Sequence, residues 1–190
     1  MNVYDFDKTI FYPDSTASFY RYCLRTIPGT LLPTLPKALA AGLGYRAGKT
    51  PAKELKQQLF SFLPKLSPTE LDALVSDFWR ENEGGIGAWY LKQRRPDDLI
   101  ISASPRFLLA PICAKLGVSL IATEMDPRTG IISGENCHDY EKPRRFYKEF
   151  PGAEVECFYS DSLTDSPMAE IADTAFLVNK HRLSPWPDKK

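Results

Sequence analysis

Cysteine and histidine are scarce in this chain. The four cysteines, Cys23, Cys113, Cys137 and Cys157, stand far apart with no C-x-x-C pair, and only two histidines occur in 190 residues. This argues against a disulfide framework or a zinc centre and suits reduced thiols. Excess charge is missing as well, because Lys plus Arg and Asp plus Glu each count 24. No global basic field exists to gather nucleic acid or anionic lipid, although a local basic patch is compatible with that balance. Long apolar runs are also lacking. The stretch from Ile27 to Tyr45 is the one to check, and Pro28, Pro33, Pro36 and Lys37 interrupt it, so we expect no membrane span. A signal-peptide core cannot begin where Asp5 and Asp7 stand, which leads us to expect a cytoplasmic protein. No internal repeat or low-complexity segment is visible, and oligomeric state is not readable.

What is present suffices for one sizeable core, or a core plus a small inserted unit, with 43% hydrophobic and 25% charged residues. The chain opens on Val3-Tyr4-Asp5-Phe6-Asp7-Lys8-Thr9. Val3 and Tyr4 suit a buried strand, and the acids that follow should end it at Asp5. Period-2 geometry sends Asp5 and Asp7 the same way, an arrangement for a hard cation or for proton transfer.

Helical signals dominate the next seventy residues. Phe19, Tyr22, Cys23 and Thr26 mark one helical face. Leu35, Leu39 and Leu43 mark a second helix over 31–43, ended by Gly42, Gly44 and Gly48. Thr50-Pro51 reads as an N-cap with proline at N1, and Ser67-Pro68-Thr69-Glu70 as a capping box. After Gly84-Gly85 and one more helix, the pattern changes to short apolar runs at 99–101, 118–123, 155–159 and 174–178, with helices between them. Ile131-Ile132 reads as a hairpin return, and the tail after Asn179 carries no signal. Alternating strands and helices imply a doubly wound α/β fold with a mostly parallel, Rossmann-like sheet. We expect that core to comprise residues 1–14 and 84–190, with an all-helical cap inserted at 15–83.

Ligands of open α/β sheets bind beyond the carboxyl ends of the strands. Those ends carry Asp5 and Asp7, then Ser102 and Ser104, then Ser160-Asp161-Ser162-Leu163-Thr164-Asp165, with Lys142 on the segment between the last two. Asp-x-Asp-x-Thr, a Ser after an apolar strand, a Lys, and Ser-Asp-x-x-x-Asp, in that order, resemble the four motifs of the haloacid dehalogenase superfamily. With a helical insertion between the first two motifs, the chain most resembles the phosphoserine phosphatase-like branch. The resemblance implies a Mg²⁺-dependent phosphatase acting on a small phosphorylated metabolite, not on nucleic acid. Asp5 would be the nucleophile that forms an aspartyl-phosphate, and Asp7 the proton carrier. Ser102 and the Ala103 amide would bind phosphate, and Lys142 would neutralise charge. Asp5, a main-chain oxygen of Asp7, and Asp161 would hold the metal, with Thr9 and Asp165 in support. Asp14 corresponds to an acidic residue that meets the substrate's amino group. Proton transfer near neutral pH would require Asp7 to stand above Asp5 in pKa, with metal keeping Asp5 ionised.

Plainer readings stand beside these. Ser104, Asp14 and Asp165 each suit a helix N-cap, and Thr9 a turn hydrogen bond. Arg46, Lys49 and Lys53 suit a solvated face, and Phe11, Tyr12, Phe19 and Tyr20 a core. Alternatives to hydrolysis are transfer of the phosphoryl group to an acceptor hydroxyl, or ligand binding without turnover.

Overall fold

The computed structural model describes residues 1–180 and 182–187. Val3 and Tyr4 are wholly buried in the short first strand, β1 (Asn2–Tyr4), which pairs in parallel on both sides. Five helices follow: α1 (Ser15–Thr26), α2 (Pro28–Leu31), α3 (Leu35–Arg46), α4 (Ala52–Leu59) and α5 (Pro68–Asn82). The chain then runs through α6 (Ala88–Gln93), β2 (Leu99–Pro105), α7 (Arg106–Leu116), β3 (Ser119–Thr123), α8 (Glu141–Glu149), β4 (Val155–Ser160), α9 (Ser166–Ile171), β5 (Ala172–Asn179) and β6 (Arg182–Pro185). The strands form one sheet in the order β3-β2-β1-β4-β5-β6, parallel except for antiparallel β6. This is the expected doubly wound α/β sheet. Leu99, Ile100 and Ile101 are fully buried, as a strand covered on both faces requires.

Strand order reverses at β1, so the crevice beyond β1 and its neighbours β2 and β4 is the natural ligand position. The inserted helices reach that crevice while sharing the sheet's core. Phe19 packs edge-on to Phe78 with ring centroids 5.3 Å apart, Phe60 meets Phe107 of α7 at 5.6 Å, and Trp79 meets Phe6 at 5.8 Å. Trp79 also donates its indole N–H to the Leu108 carbonyl at 2.7 Å. α5 starts at the capping box, with Ser67 and Glu70 satisfying each other's backbone N–H groups. Where the chain returns to the sheet, a Cβ on Gly85 would lie 2.8 Å from the Phe11 ring and 2.9 Å from the Tyr12 carbonyl. Gly85 thus lets the returning backbone press against the loop after β1, to which its carbonyl bonds through the Tyr12 N–H at 3.0 Å.

Several local expectations are corrected. The single helix over 31–43 is two: α2 ends at Leu31, Pro33 lies in the break, and α3 runs through Gly42 and Gly44 to Arg46. Its leucines also face the wrong way for a core stripe, since Leu39 and Leu43 are 59% and 69% exposed. Thr50 does not cap α4, whose N-cap is Pro51. The Ile131-Ile132 return is reduced to a lone bridge between Met125 and Ile132. Among the described residues after Asn179, β6 pairs with β5, and Trp186 is buried near Phe158. The four cysteines are free thiols, as their spacing implied.

Candidate active site

Tyr4 is the last residue of β1, and the Asp5 N–H still donates to the Tyr159 carbonyl of β4 at 2.8 Å. Beyond it the chain turns sharply. The N–H groups of Ile10 and Phe11 both bond the Phe6 carbonyl at 3.0 Å, and Lys8 takes the left-handed conformation at φ 58°. That turn delivers both carboxylates, Asp5 and Asp7, to one cavity of about 400 Å³ at the sheet edge. Ser102 and Ala103 at the end of β2, Lys142 from α8, and Asp161 and Asp165 after β4 line the same cavity. Asp14 lines it as well, while its carboxylate also caps α1 by accepting from the Ala17 N–H at 2.9 Å. Thr9 sits beneath: its hydroxyl donates to Asp5 Oδ2 at 3.3 Å and accepts from the Asp161 N–H at 2.9 Å.

The electrostatic centre is a buried row of three charges. Lys142 Nζ, 1% exposed, donates to Asp5 Oδ1 at 2.7 Å and to Asp165 Oδ2 at 2.6 Å. Burial opposes the ammonium charge, but the two carboxylates outweigh it and hold the Lys142 pKa above the ordinary lysine range. Asp165 accepts a further bond from Ser160 Oγ at 2.7 Å; it stands at the N-cap position of α9, as its plainer reading had it, but its side chain makes no capping bond there.

Asp7 is held differently, by neutral donors. Ser104 Oγ donates to Asp7 Oδ2 at 2.5 Å and the Ser15 N–H to Oδ1 at 2.6 Å, while the Ser15 and Thr16 hydroxyls reach Ser104 Oγ at 3.1 and 2.9 Å. Reading Ser104 as the cap of α7 is therefore corrected. β2 continues to Pro105, which is the N-cap of α7 and makes no side-chain bond. The irregular register between Ser102 and Pro105 turns Ser104 into the cavity, and its N–H donates to Ser102 Oγ at 3.1 Å.

Burial first, then Asp165 and Asp7, push the Asp5 carboxyl up to about 7 against the opposing pull of Lys142. Burial and Asp14 push Asp7 to about 6, with Ser104 and the Ser15 N–H pulling it down. From the protein's own groups, then, both acids are raised but in the reverse of the expected order. Asp5 carries the heavier load of buried negative neighbours, and the expectation had set a metal cation against it.

Lys56 of α4 was not singled out by sequence. Its ammonium donates to the Ala103 carbonyl at 2.5 Å and to Asn136 Oδ1 at 2.7 Å, tying the insertion to the tip of β2. Burial lowers its pKa to about 8, with Asp7 and Asp14 opposing. No local signal separates it from Lys53 one turn earlier, which bonds the Gly134 carbonyl instead. Arg46 and Lys49, the other cations considered, are exposed.

Among the described residues, no three Asp, Glu, His or Cys side chains converge as a ready-made metal cluster. The set expected for Mg²⁺ asks for less: the Asp5 and Asp161 carboxylates and a main-chain oxygen at Asp7, all hard oxygen donors. Asp161 accepts no side-chain hydrogen bond from the described residues, and five carboxylates line the cavity against Lys8, Lys56 and Lys142. That surplus of negative charge fits a divalent cation.

A search of curated proteins found no match. Among solved structures, a protein of unknown function from Bordetella pertussis Tohama I is similar, with a TM-score of 0.81 and 24% identity, over 92% of this chain and 87% of that one. A HAD family hydrolase from Salmonella enterica serovar Typhi has a TM-score of 0.67 and 16% identity, with 90% of this chain and 60% of that one covered. A phosphoserine phosphatase solved as a phospho-aspartyl intermediate analogue has a TM-score of 0.54 and 15% identity, over 91% and 83% of the two chains. At these identities the likeness is one of fold. The family model of the haloacid dehalogenase-like hydrolases matches residues 3–170, and the chain belongs to that family.

Proposed function

We propose that this hydrolase is a Mg²⁺-dependent phosphatase that cleaves a phosphate monoester through an aspartyl-phosphate on Asp5. The reading rests on one observation above the others: a buried Asp5 carboxylate at the tip of β1, bonded to the Lys142 ammonium and facing a cavity shared with Asp7, Ser102 and Lys56. The fold of the phosphoserine phosphatase analogue supports it by analogy. Asp5 and Asp161, with the Asp7 main chain, would hold the metal, which supplies positive charge against the phosphoryl oxygens when bound.

The remaining roles follow from where each group stands. Lys142 keeps Asp5 in place and offsets its charge, so that an anionic ester can approach. The Ser102 hydroxyl and Ala103 amide bind phosphoryl oxygens, and Lys56 adds a second cation from the insertion. Asp5 attacks phosphorus while Asp7, protonated, gives its proton to the departing ester oxygen. Asp7, now ionised, takes a proton from water as that water attacks the aspartyl-phosphate, releasing phosphate and freeing Asp5. Helices 15–83 act as the cap, and Asp14 lies where a polar part of the substrate would meet it.

The test is a panel of phosphate esters assayed with and without Mg²⁺. Turnover should need Mg²⁺ and be abolished by Asp5→Asn. Wild-type activity in that variant would end the nucleophile assignment, and products carrying phosphate on an added alcohol would favour phosphoryl transfer over hydrolysis.

A further inference from the structure

α3 is built inside out. Its buried residues are Ala38 and Ala41, while Pro36, Leu39, Ala40, Leu43 and Ala47, spaced three and four apart, face solvent. Small residues form the inner side, α3 packs against α4, and the turn between them folds back closely: a Cβ on Gly44 would fall 2.2 Å from Thr50 Oγ1. Close packing on that side leaves the leucines no interior to fill. With Leu32 at 57% exposure just before the helix, they make an apolar face on the insertion. A soluble monomer seldom carries such a face without a use for it.

Charge on this part of the chain is one-sided. From Ser15 to Lys53 there is no Asp or Glu, but there are six Lys and Arg residues, in a protein whose total charge is zero. Lys37, Arg46 and Lys49 of the α3 region make no ion pair among the described residues. Leucines ringed by unpaired cations suit an anionic lipid surface. They suit a two-fold contact with a second copy poorly, because an isologous interface would set these cations near their own equivalents.

In the cavity, beside the acids, Ser102 and Lys142 of the sheet edge, the insertion contributes Tyr45, Ala52, Leu55 and Leu59 to the lining, together with the cation Lys56. Tyr45, seven residues after Ala38 and four after Ala41, continues the inner side of α3 into that cavity, so the helix borders the cavity on one side and presents its leucines on the other. We propose that the enzyme works at an anionic bilayer, with the exposed face of α3 and the segment before it seated on lipid, and with Tyr45, Leu55 and Leu59 of the cavity meeting the hydrocarbon body of a phosphorylated amphiphile. This rests on the phosphatase reading and narrows its substrate class.

The test combines vesicle flotation with two substrates. The full chain should float with phosphatidylcholine vesicles containing phosphatidylglycerol, but not with phosphatidylcholine alone. Both Leu39→Ser/Leu43→Ser and Lys37→Glu/Arg46→Glu should stay behind. With Mg²⁺, the leucine variant should lose at least about tenfold in kcat/KM on vesicle-borne phosphatidic acid, the least that withdrawing two leucines from lipid predicts. It should keep wild-type activity on p-nitrophenyl phosphate. Absence of flotation by the wild type, equal flotation by the variants, or a wild-type dimer in vesicle-free sedimentation that the leucine variant abolishes would each overturn the proposal. Lack of p-nitrophenyl phosphate and phosphatidic acid turnover by the wild type would instead remove the phosphatase reading, whatever the vesicles show.

Discussion

Replacing Lys142 by Met keeps much of the side chain's length and removes its charge. Lys142 is 1% exposed and its ammonium bonds two buried carboxylates, Asp5 and Asp165, at 2.7 and 2.6 Å. Deleting one member of such a buried group costs about 3–5 kcal/mol, because the partners' charge is left uncompensated. Asp165→Asn should cost about 1–3 kcal/mol, since Lys142 and Ser160 lose a charged acceptor. The double variant should cost less than the two singles together, by at least about 1 kcal/mol, because each substitution relieves the imbalance left by the other. The loss should also depend on pH. An acid whose folded pKa lies above its unfolded value holds a proton more tightly when folded, so it favours the fold at low pH and that advantage fades as pH rises. Asp5 is already raised from 3.8 to about 7, and loss of the ammonium raises it further. The Lys142→Met penalty should therefore be large above neutrality and shrink as the buffer is taken toward pH 4. Urea unfolding in chelator, so that added cations cannot replace the ammonium, measures both effects. A penalty under about 1 kcal/mol at pH 8, or one equally large at pH 5, would refute the charge-row argument.

Three further outcomes follow from other contacts. Ser104→Ala should lower kcat/KM for phosphate esters about 10–100-fold, through loss of one charge-assisted bond that orients Asp7. A variant with an intact rate would return Ser104 to a structural role. Lys56→Met should raise KM and the inhibition constant of inorganic phosphate about tenfold or more, while Lys56→Arg retains part of the affinity; unchanged phosphate inhibition would remove Lys56 from the anion site. Trp186→Ala should cost about 3–5 kcal/mol in urea unfolding, since this side chain is 8% exposed and fills the core beside Phe158; a marginal effect would show the C-terminal strand to be dispensable.

Legibility in the sequence followed how local each determinant was. The β1 tip, the buried β2 run and the α5 capping box are written in a few adjacent residues, and each lies where its pattern put it. The convergence of Asp5, Ser102, Lys142, Asp161 and Asp165 was accessible because a parallel sheet carries all its strand ends to one edge. Ser104 misled because Ser-Pro before an apolar run is a strong helix-start signal, and only the irregular pairing of β2 with β3 turns its hydroxyl toward Asp7. Lys56 was hidden because its importance depends on how α4 lies over the tip of β2. Trp186 was hidden because proline-flanked residues near a terminus give no strand pattern, yet β5 offered an open edge for them to pair with.

The two acids that open the chain also differ in a way that residue identity does not reveal. Asp5 faces a cation and a hydroxyl, Lys142 and Thr9, of which Lys142 favours the ionised form against burial, Asp165 and Asp7, which lift its pKa. Asp7 faces the Ser104 hydroxyl and the Ser15 amide, and no cation bonds it among the described residues. A nucleophile has to remain charged while an anion approaches, which requires a nearby positive group to offset the repulsion. A proton carrier has to pass between two states at little cost, which neutral donors and a pKa near 6 permit. In the proposed mechanism, the division of labour between Asp5 and Asp7 rests on their partners, Lys142 for one and Ser104 for the other. Exchanging the character of those partners should disturb catalysis more than moving either pKa by a comparable amount.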